Sequence, residues 1–195
     1  GHQGGVWCME VVGAVLITGS TDRTIAVWNV RSMTKQLDLI GHSSTIRSLK
    51  VHEQYVISGS RDGVIRVWEW ASGRCVHVLL GHTGSIRCLG IYKDHISGLS
   101  YIISGSYDET AIIWSLETGK QQFKLQGHSG RLYALAVYKN YVFTAGMDHR
   151  VKKWNILTGE CVHDIYTSQT LIGMMAQHGH YVATGSTDGK VCVFD

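Results

Sequence analysis

The sequence predicts an all-β protein, a β-propeller represented by five consecutive blades, and three observations predict it. Asp22, Asp62, Asp108, Asp148 and Asp188 recur every 40 residues, with one interval of 46. A hydroxyl residue stands four positions before each (Thr18, Ser58, Ser104, Thr144, Thr184), and an aromatic six positions after (Trp28, Trp68, Trp114, Trp154, Phe194). Each unit also holds short runs rich in Val, Ile, Tyr and Trp, separated by turn residues, with no competing helical period. Self-similarity at about 40 residues with four strands per unit is the signature of a propeller blade.

The units are expected at 1–40, 41–80, 81–126, 127–166 and 167–195. In the second, the strands read Thr45 to Val51, Tyr55 to Gly59, Val64 to Trp70 and Cys75 to Leu80. Between them lie the turns Arg61-Asp62-Gly63, Ala71-Ser72-Gly73 and Gly81-His82. The chain contains no proline, which suits consecutive hydrogen-bonded strands because proline cannot donate to a ladder. The third unit carries six extra residues around Asp94 to Leu99, between its first two strands, which assigns them to the bottom face. The fifth unit stops after its third strand, so its blade is expected to lack the fourth. Such a set of blades is expected to be part of a larger ring.

Composition narrows the function. Against 15 Asp and Glu stand 18 Lys and Arg, a formal charge of +3 that demands no nucleic acid. No apolar run approaches the roughly 18 residues of a membrane span, and no signal-peptide pattern opens the sequence. The five cysteines are odd in number and lack Cys-x-x-Cys spacing. Cys8 and Cys88 share one repeat slot, and Cys75 and Cys161 another, which reads as small buried hydrophobes in a reducing compartment, nucleus or cytoplasm. Seven histidines fall outside the repeat slots (His52, His77, His95, His149, His163, His178, His180), none in metal-ligand spacing. There is no nucleophile elbow and no phosphate-binding loop. A non-enzyme without cofactor or metal is expected.

The first four units open with Gly-His, at His2, His42, His82 and His128. With the Asp, hydroxyl and Trp positions, this pattern resembles WD repeats over the whole chain. The resemblance implies a buried relay in each blade, in which Trp donates to Ser or Thr, the hydroxyl bonds His, and His bonds Asp. Its members would be His2, Thr18, Asp22 and Trp28; His42, Ser58, Asp62 and Trp68; His82, Ser104, Asp108 and Trp114; and His128, Thr144, Asp148 and Trp154. The fifth unit has Ser168 in place of His and Phe194 in place of Trp, so its relay is expected to be absent.

Two slots per unit should crown the top face. The one five residues after the His holds Trp7, Arg47, Arg87, Tyr133 and, in the fifth unit, Gly173. The one just before the turn Asp holds Thr21, Arg61, Tyr107, Met147 and Thr187. No acidic residue occupies any of these positions. Arg47, Arg61 and Arg87 in neighbouring blades therefore make a candidate anion site, since the planar guanidinium fork matches phosphate oxygens bidentately.

The stretches 41–47, 58–62, 81–88 and 104–108, with 4–7 and 19–24 before them, resemble the F-box/WD-repeat substrate receptors of SCF ubiquitin ligases, those that collect phosphorylated cyclin E. That resemblance implies that Arg47, Arg61 and Arg87 grip the phosphothreonine of a Thr-Pro phosphodegron, with Tyr107 flanking them. It places Trp7 and Thr21 at the pocket for the following proline and Thr45 near the second acidic position of the degron. It also implies an eight-bladed ring, and contact with the Skp and cullin machinery only through an F-box, which this sequence does not contain. The alternative is a general WD scaffold that binds unmodified acidic peptides or partner domains in signalling complexes.

Overall fold

The computed structural model describes residues 1–167 and 170–195, so Ser168 lies outside the described residues. Residues 1–89 and 90–195 form two compact units. In the first, β1 (Val6–Val12), β2 (Val15–Ser20), β3 (Thr24–Asn29) and β4 (Thr34–Ile40) form one sheet in chain order. A second is formed by β5 (Ile46–His52), β6 (Tyr55–Ser60), β7 (Ile65–Glu69) and β8 (Arg74–Leu79). Strand β9 (Ile86–Lys93) begins in the first unit and ends in the second, where β10 (Ser100–Ser106), β11 (Ala111–Ser115) and β12 (Gln121–Leu125) complete its sheet. A fourth sheet follows from β13 (Leu132–Tyr138), β14 (Tyr141–Gly146), β15 (Arg150–Asn155) and β16 (Cys161–Tyr166). The last has three strands, β17 (Ile172–His178), β18 (Tyr181–Ser186) and β19 (Val191–Phe194). Each sheet is one antiparallel blade of a β-propeller.

The inner strands are buried on both faces, so β2, β6 and β10 run almost continuously buried rather than alternating. Within the first unit, Ile17, Ile25, Val27 and Leu39 of one blade meet Ile46, Leu49, Val56 and Trp68 of the next. Within the second, Ile103, Ile113 and Leu125 meet Leu132, Val142 and Trp154. Each fully buried Ile or Leu contributes roughly 1.5–3 kcal/mol relative to exposure. The blades approach closely enough that Gly19 has no room for a side chain, since an added Cβ would lie 2.6 Å from Ile46 Cγ2.

The turn between the second and third strands repeats as faithfully. The residue after the turn Asp has a left-handed backbone in every blade: φ is 74° at Arg23, 79° at Gly63, 70° at Glu109, 64° at His149 and 82° at Gly189. The six-residue insertion, by contrast, closes on itself between β9 and β10. Asp94 N–H donates to Leu99 O and Gly98 N–H to Asp94 O, both at 2.8 Å. The Asp94 carboxylate accepts from Ile96 N–H, Ser97 N–H and the Ser97 hydroxyl.

The four repeat-slot cysteines depart from the buried reading, Cys161 the furthest. Cys8, Cys75 and Cys88 are half-buried, but Cys161 is exposed, because all six residues of the outer strand β16 are exposed. Of the histidines outside the repeat slots, His178 and His180 are exposed around the β17–β18 turn. Among the described residues no group of His, Cys, Asp or Glu could hold a metal ion, and no helix is long and apolar enough to cross a membrane.

Candidate functional site

A buried relay ties together each of the first, second and fourth blades. In the first blade Trp28 Nε1–H donates to Thr18 Oγ1 at 2.8 Å, His2 Nε2 lies 2.7 Å from the same oxygen, and His2 Nδ1 lies 3.0 Å from Asp22 Oδ2. The second blade repeats it with Trp68, Ser58, His42 and Asp62 at 2.8, 2.8 and 3.0 Å, and the fourth with Trp154, Thr144, His128 and Asp148 at 2.7, 2.8 and 2.6 Å. In the third, Trp114 Nε1–H donates to Ser104 Oγ at 2.9 Å. A carboxylate can only accept, so it is the His Nδ1 that carries a proton toward the Asp. The fifth blade is built otherwise. Asp188 accepts from the Ser186 hydroxyl at 2.5 Å and pairs with Lys190, and Phe194 has no donor to offer.

The relay fastens two loops together. Asp62 Oδ2 also accepts Ser43 N–H, while Oδ1 accepts Val64 N–H. Asp22 does the same with Gln3 and Thr24, and Asp148 with Ser129 and Arg150. Burial alone would raise these carboxyls. The hydrogen bonds overrule it, chiefly from Thr24 at Asp22 and from the His ring at Asp62 and Asp148, and hold all three below the usual carboxylate range.

With the loops fastened, backbone hydrogen bonds also join the residue before the turn Asp to the loop that precedes the first strand. Arg61 N–H donates to Thr45 O at 2.9 Å, two residues before Arg47. Likewise Thr21 N–H donates to Gly5 O, and Met147 N–H to Arg131 O. The first strand breaks register at the same place each time: between Val6 and Cys8, Ile46 and Ser48, Leu132 and Ala134, and Ile172 and Met174. The extra residues are Trp7, Arg47, Tyr133 and Gly173. A bulge re-aims the side chain it carries. The Arg47 guanidinium carbon lies 4.4 Å from the centroid of the Trp7 ring. Trp7, Thr21 and Arg61 are exposed, whereas Thr45, Arg47 and Arg87 are half-buried. Arg87 follows Ile86 as Arg47 follows Ile46, and its charge reaches back to Cys8, beside Trp7. Burial nevertheless pushes the Cys8 thiol up to about 12, so it is inert.

Residues 1–29, 33–69, 73–115, 119–155 and 159–195 each match the WD domain, G-beta repeat. The chain belongs to that family. From the second onward, each matched segment of the WD repeat starts at the outer strand of one blade and ends on the third strand of the next. The sequence repeat is thus offset by one strand from the structural one. As a WD-repeat chain it is a protein-interaction module. WD repeat-containing protein pop1 of Schizosaccharomyces pombe is 50% identical over 50 residues, 26% of this chain and 6% of pop1. Cell division control protein 4 of Saccharomyces cerevisiae is 43% identical over 54 residues, 27% of this chain and 7% of that protein. Each match thus spans less than a tenth of the yeast relative. Among solved structures, the computationally designed Ika8 protein superposes with a TM-score of 0.90 at 31% identity, over all of this chain and 59% of Ika8. The designed Ika4 protein gives 0.73 at 33% identity, over 80% of this chain and 94% of Ika4.

In the WD frame, the sequence-selected residues Trp7, Thr21, Thr45, Arg47, Arg61 and Arg87 all fall in residues 1–89. Tyr107 falls in the second unit, where its ring lies 5.0 Å from that of Tyr133 and the Arg131 guanidinium carbon sits 5.3 Å over it. Arg131 escaped the sequence reading because it stands in the loop before the slot residue. The Trp7–Arg47 contact escaped it too, although the irregular alternation at Ile46-Arg47-Ser48-Leu49 signals the bulge that makes it.

Proposed function

We propose that this chain is the substrate-recognition part of an SCF-type ubiquitin ligase, non-catalytic itself, that reads a phosphorylated Thr-Pro segment through Arg47, Arg61 and Arg87. The observation that supports this reading is the backbone hydrogen bond from Arg61 N–H to Thr45 O, which ties together the two loops that carry Arg61 and Arg47. No carboxylate among the described residues pairs with Arg47 or Arg61. Guanidinium groups gathered on one anion site would repel, and a phosphate carrying about −1.5 to −2 charge would relieve the repulsion. Trp7 and Thr21 flank them for the proline and Thr45 for a second acidic position, as the resemblance to F-box/WD-repeat receptors implies. Short identities to a cell division control protein and to pop1 support the same reading. A receptor of this kind works in the nucleus or cytoplasm.

The test is calorimetric titration with a doubly phosphorylated Thr-Pro peptide and its unphosphorylated twin. The phosphopeptide should bind more tightly, and replacing any of the three arginines by Ala should cost about 2–5 kcal/mol. Lys should substitute poorly, because a point charge cannot reproduce the bidentate fork. Equal affinity for the two peptides would replace the receptor by a plain WD scaffold.

A further inference from the structure

Among the described residues, two buried side-chain nitrogens lack a hydrogen-bond partner, and one of them, Arg66 Nε, belongs to a permanent cation. Arg66 stands half-buried on β7, wholly within residues 1–89. Its guanidinium lies against the loop that joins the first blade to the second, since a Cβ added at Gly41 would come within 3.4 Å of Arg66 Cζ and Nη1. Arg66 Nη1 donates to the Cys75 thiol at 3.7 Å, a weak acceptor. The guanidinium carbon lies 5.9 Å from the Trp68 ring centroid. No carboxylate among the described residues pairs with it.

The fourth blade shows what a cation at this repeat position takes. Lys152 stands two residues before Trp154, as Arg66 stands two before Trp68, and Gly127 faces it as Gly41 faces Arg66. There the residue paired with it on the outer strand is Asp164, whose carboxylate accepts from Lys152 Nζ at 2.6 Å. In the second blade the residue paired with Arg66 is Val78. Val78 is 46% exposed, and Leu80, two residues on, is 70% exposed. The second blade thus keeps the cation, replaces its carboxylate by an apolar side chain, and leaves that apolar surface open to contact.

We propose that Arg66 is a docking point on the outer edge of the second blade for an acidic side chain of a partner protein, an Asp or Glu whose apolar neighbours cover Val78 and Leu80. A carboxylate matches the guanidinium fork, and it would reach Arg66 from the outer strand, as Asp164 reaches Lys152. The site uses none of Arg47, Arg61 and Arg87, so it stands apart from the phosphopeptide reading. The Arg66 Nε–H resonance, assigned by its loss in Arg66→Gln, reports on it during titration of the 195-residue chain with acetyl-Val-Glu-Leu-amide and the Gln twin of that peptide at constant ionic strength. The Glu peptide should shift the resonance saturably and the Gln twin should not. In Val78→Asp, which supplies a carboxylate as Asp164 does, the Glu peptide should no longer shift it. A shift by both peptides alike, by neither, or by the Glu peptide in Val78→Asp overturns the proposal. Urea denaturation gives a second measurement: the unfolding constant of Val78→Asp should lie about fivefold below that of Val78→Asn, the upper range for an ion pair with an exposed partner. Equal constants overturn the proposal by themselves, even where the Arg66 resonance is too broad to follow.

Discussion

Arg47 is held by Trp7: its guanidinium carbon lies 4.4 Å from the indole centroid. Both side chains ride on bulges at the same register of neighbouring blades, one between Val6 and Cys8 and the other between Ile46 and Ser48. A cation over an indole at such a site is worth about 0.5–1 kcal/mol. That is small as stability, but it costs Arg47 its rotamer freedom before any ligand arrives, and ordering beforehand is what improves affinity.

Trp7→Ala should therefore weaken phosphopeptide binding in two separable ways. Loss of the support under Arg47 should cost every phosphopeptide about 0.5–1 kcal/mol. A Thr-Pro peptide should lose more than one lacking the proline, because it also loses apolar packing against the indole. Calorimetry with the two peptides separates these effects, and equal losses for both would confine Trp7 to holding Arg47.

Asp62 and Asp188 occupy the same place in their repeats yet should differ in weight. Asp62 accepts from His42, Ser43 and Val64, so Asp62→Ala leaves His42, which is buried, without its acceptor, at a cost of about 1–3 kcal/mol. Asp188 is exposed and bonds its own turn and Lys190, so Asp188→Ala should cost distinctly less. Denaturant melts of the two variants give the comparison, and equal losses would contradict the distinction.

The same carboxylates make stability acid-sensitive. Asp22, Asp62 and Asp148 lie below their ordinary value of 3.8 in the folded chain, and Asp188 lies at about 2. A folded pKa beneath the unfolded one means that the unfolded chain binds more protons over that interval. The contribution is then complete above about pH 5 and is lost as pH falls through the folded values. The urea midpoint should show no loss from these groups down to about pH 5 and should drop below it, and Asp62→Asn should shrink the drop. A midpoint level down to pH 3 would refute the assignment.

The blade count and the relay were legible because both rest on strict spacing: a buried Trp N–H needs its hydroxyl, and that pair tolerates no drift in register. The three-stranded last blade was legible for the same reason, from Phe194 ending the third strand. Less visible was whatever depends on a local break in alternation. The bulges at Trp7 and Arg47 shift one residue out of the ladder, and sequence spacing alone cannot distinguish a re-aimed side chain from a solvated one. Cys161 was misread because repeat position suggests equal burial, whereas burial of an outer strand depends on what packs against it.

His149 sits where the second and fifth blades use Gly63 and Gly189, in a left-handed backbone at φ 64°. A side chain there is strained by roughly 1–2 kcal/mol, and the His149 Nδ1 is buried without a hydrogen-bond partner. Glycine removes both penalties, at the expense of about 0.4–1 kcal/mol of extra unfolded-state entropy. The hydrogen bond from Thr167 N–H to the His149 carbonyl belongs to the backbone and survives the change. His149→Gly should therefore stabilise the chain by about 1 kcal/mol in urea denaturation, the balance of these contributions. The reverse change should be costly. A Cβ at Gly63 would meet the Gly84 carbonyl oxygen at 3.2 Å, so Gly63→His adds crowding to strain. If His149→Gly proves destabilising, the imidazole packs to an advantage that outweighs its strained backbone and unpaired nitrogen.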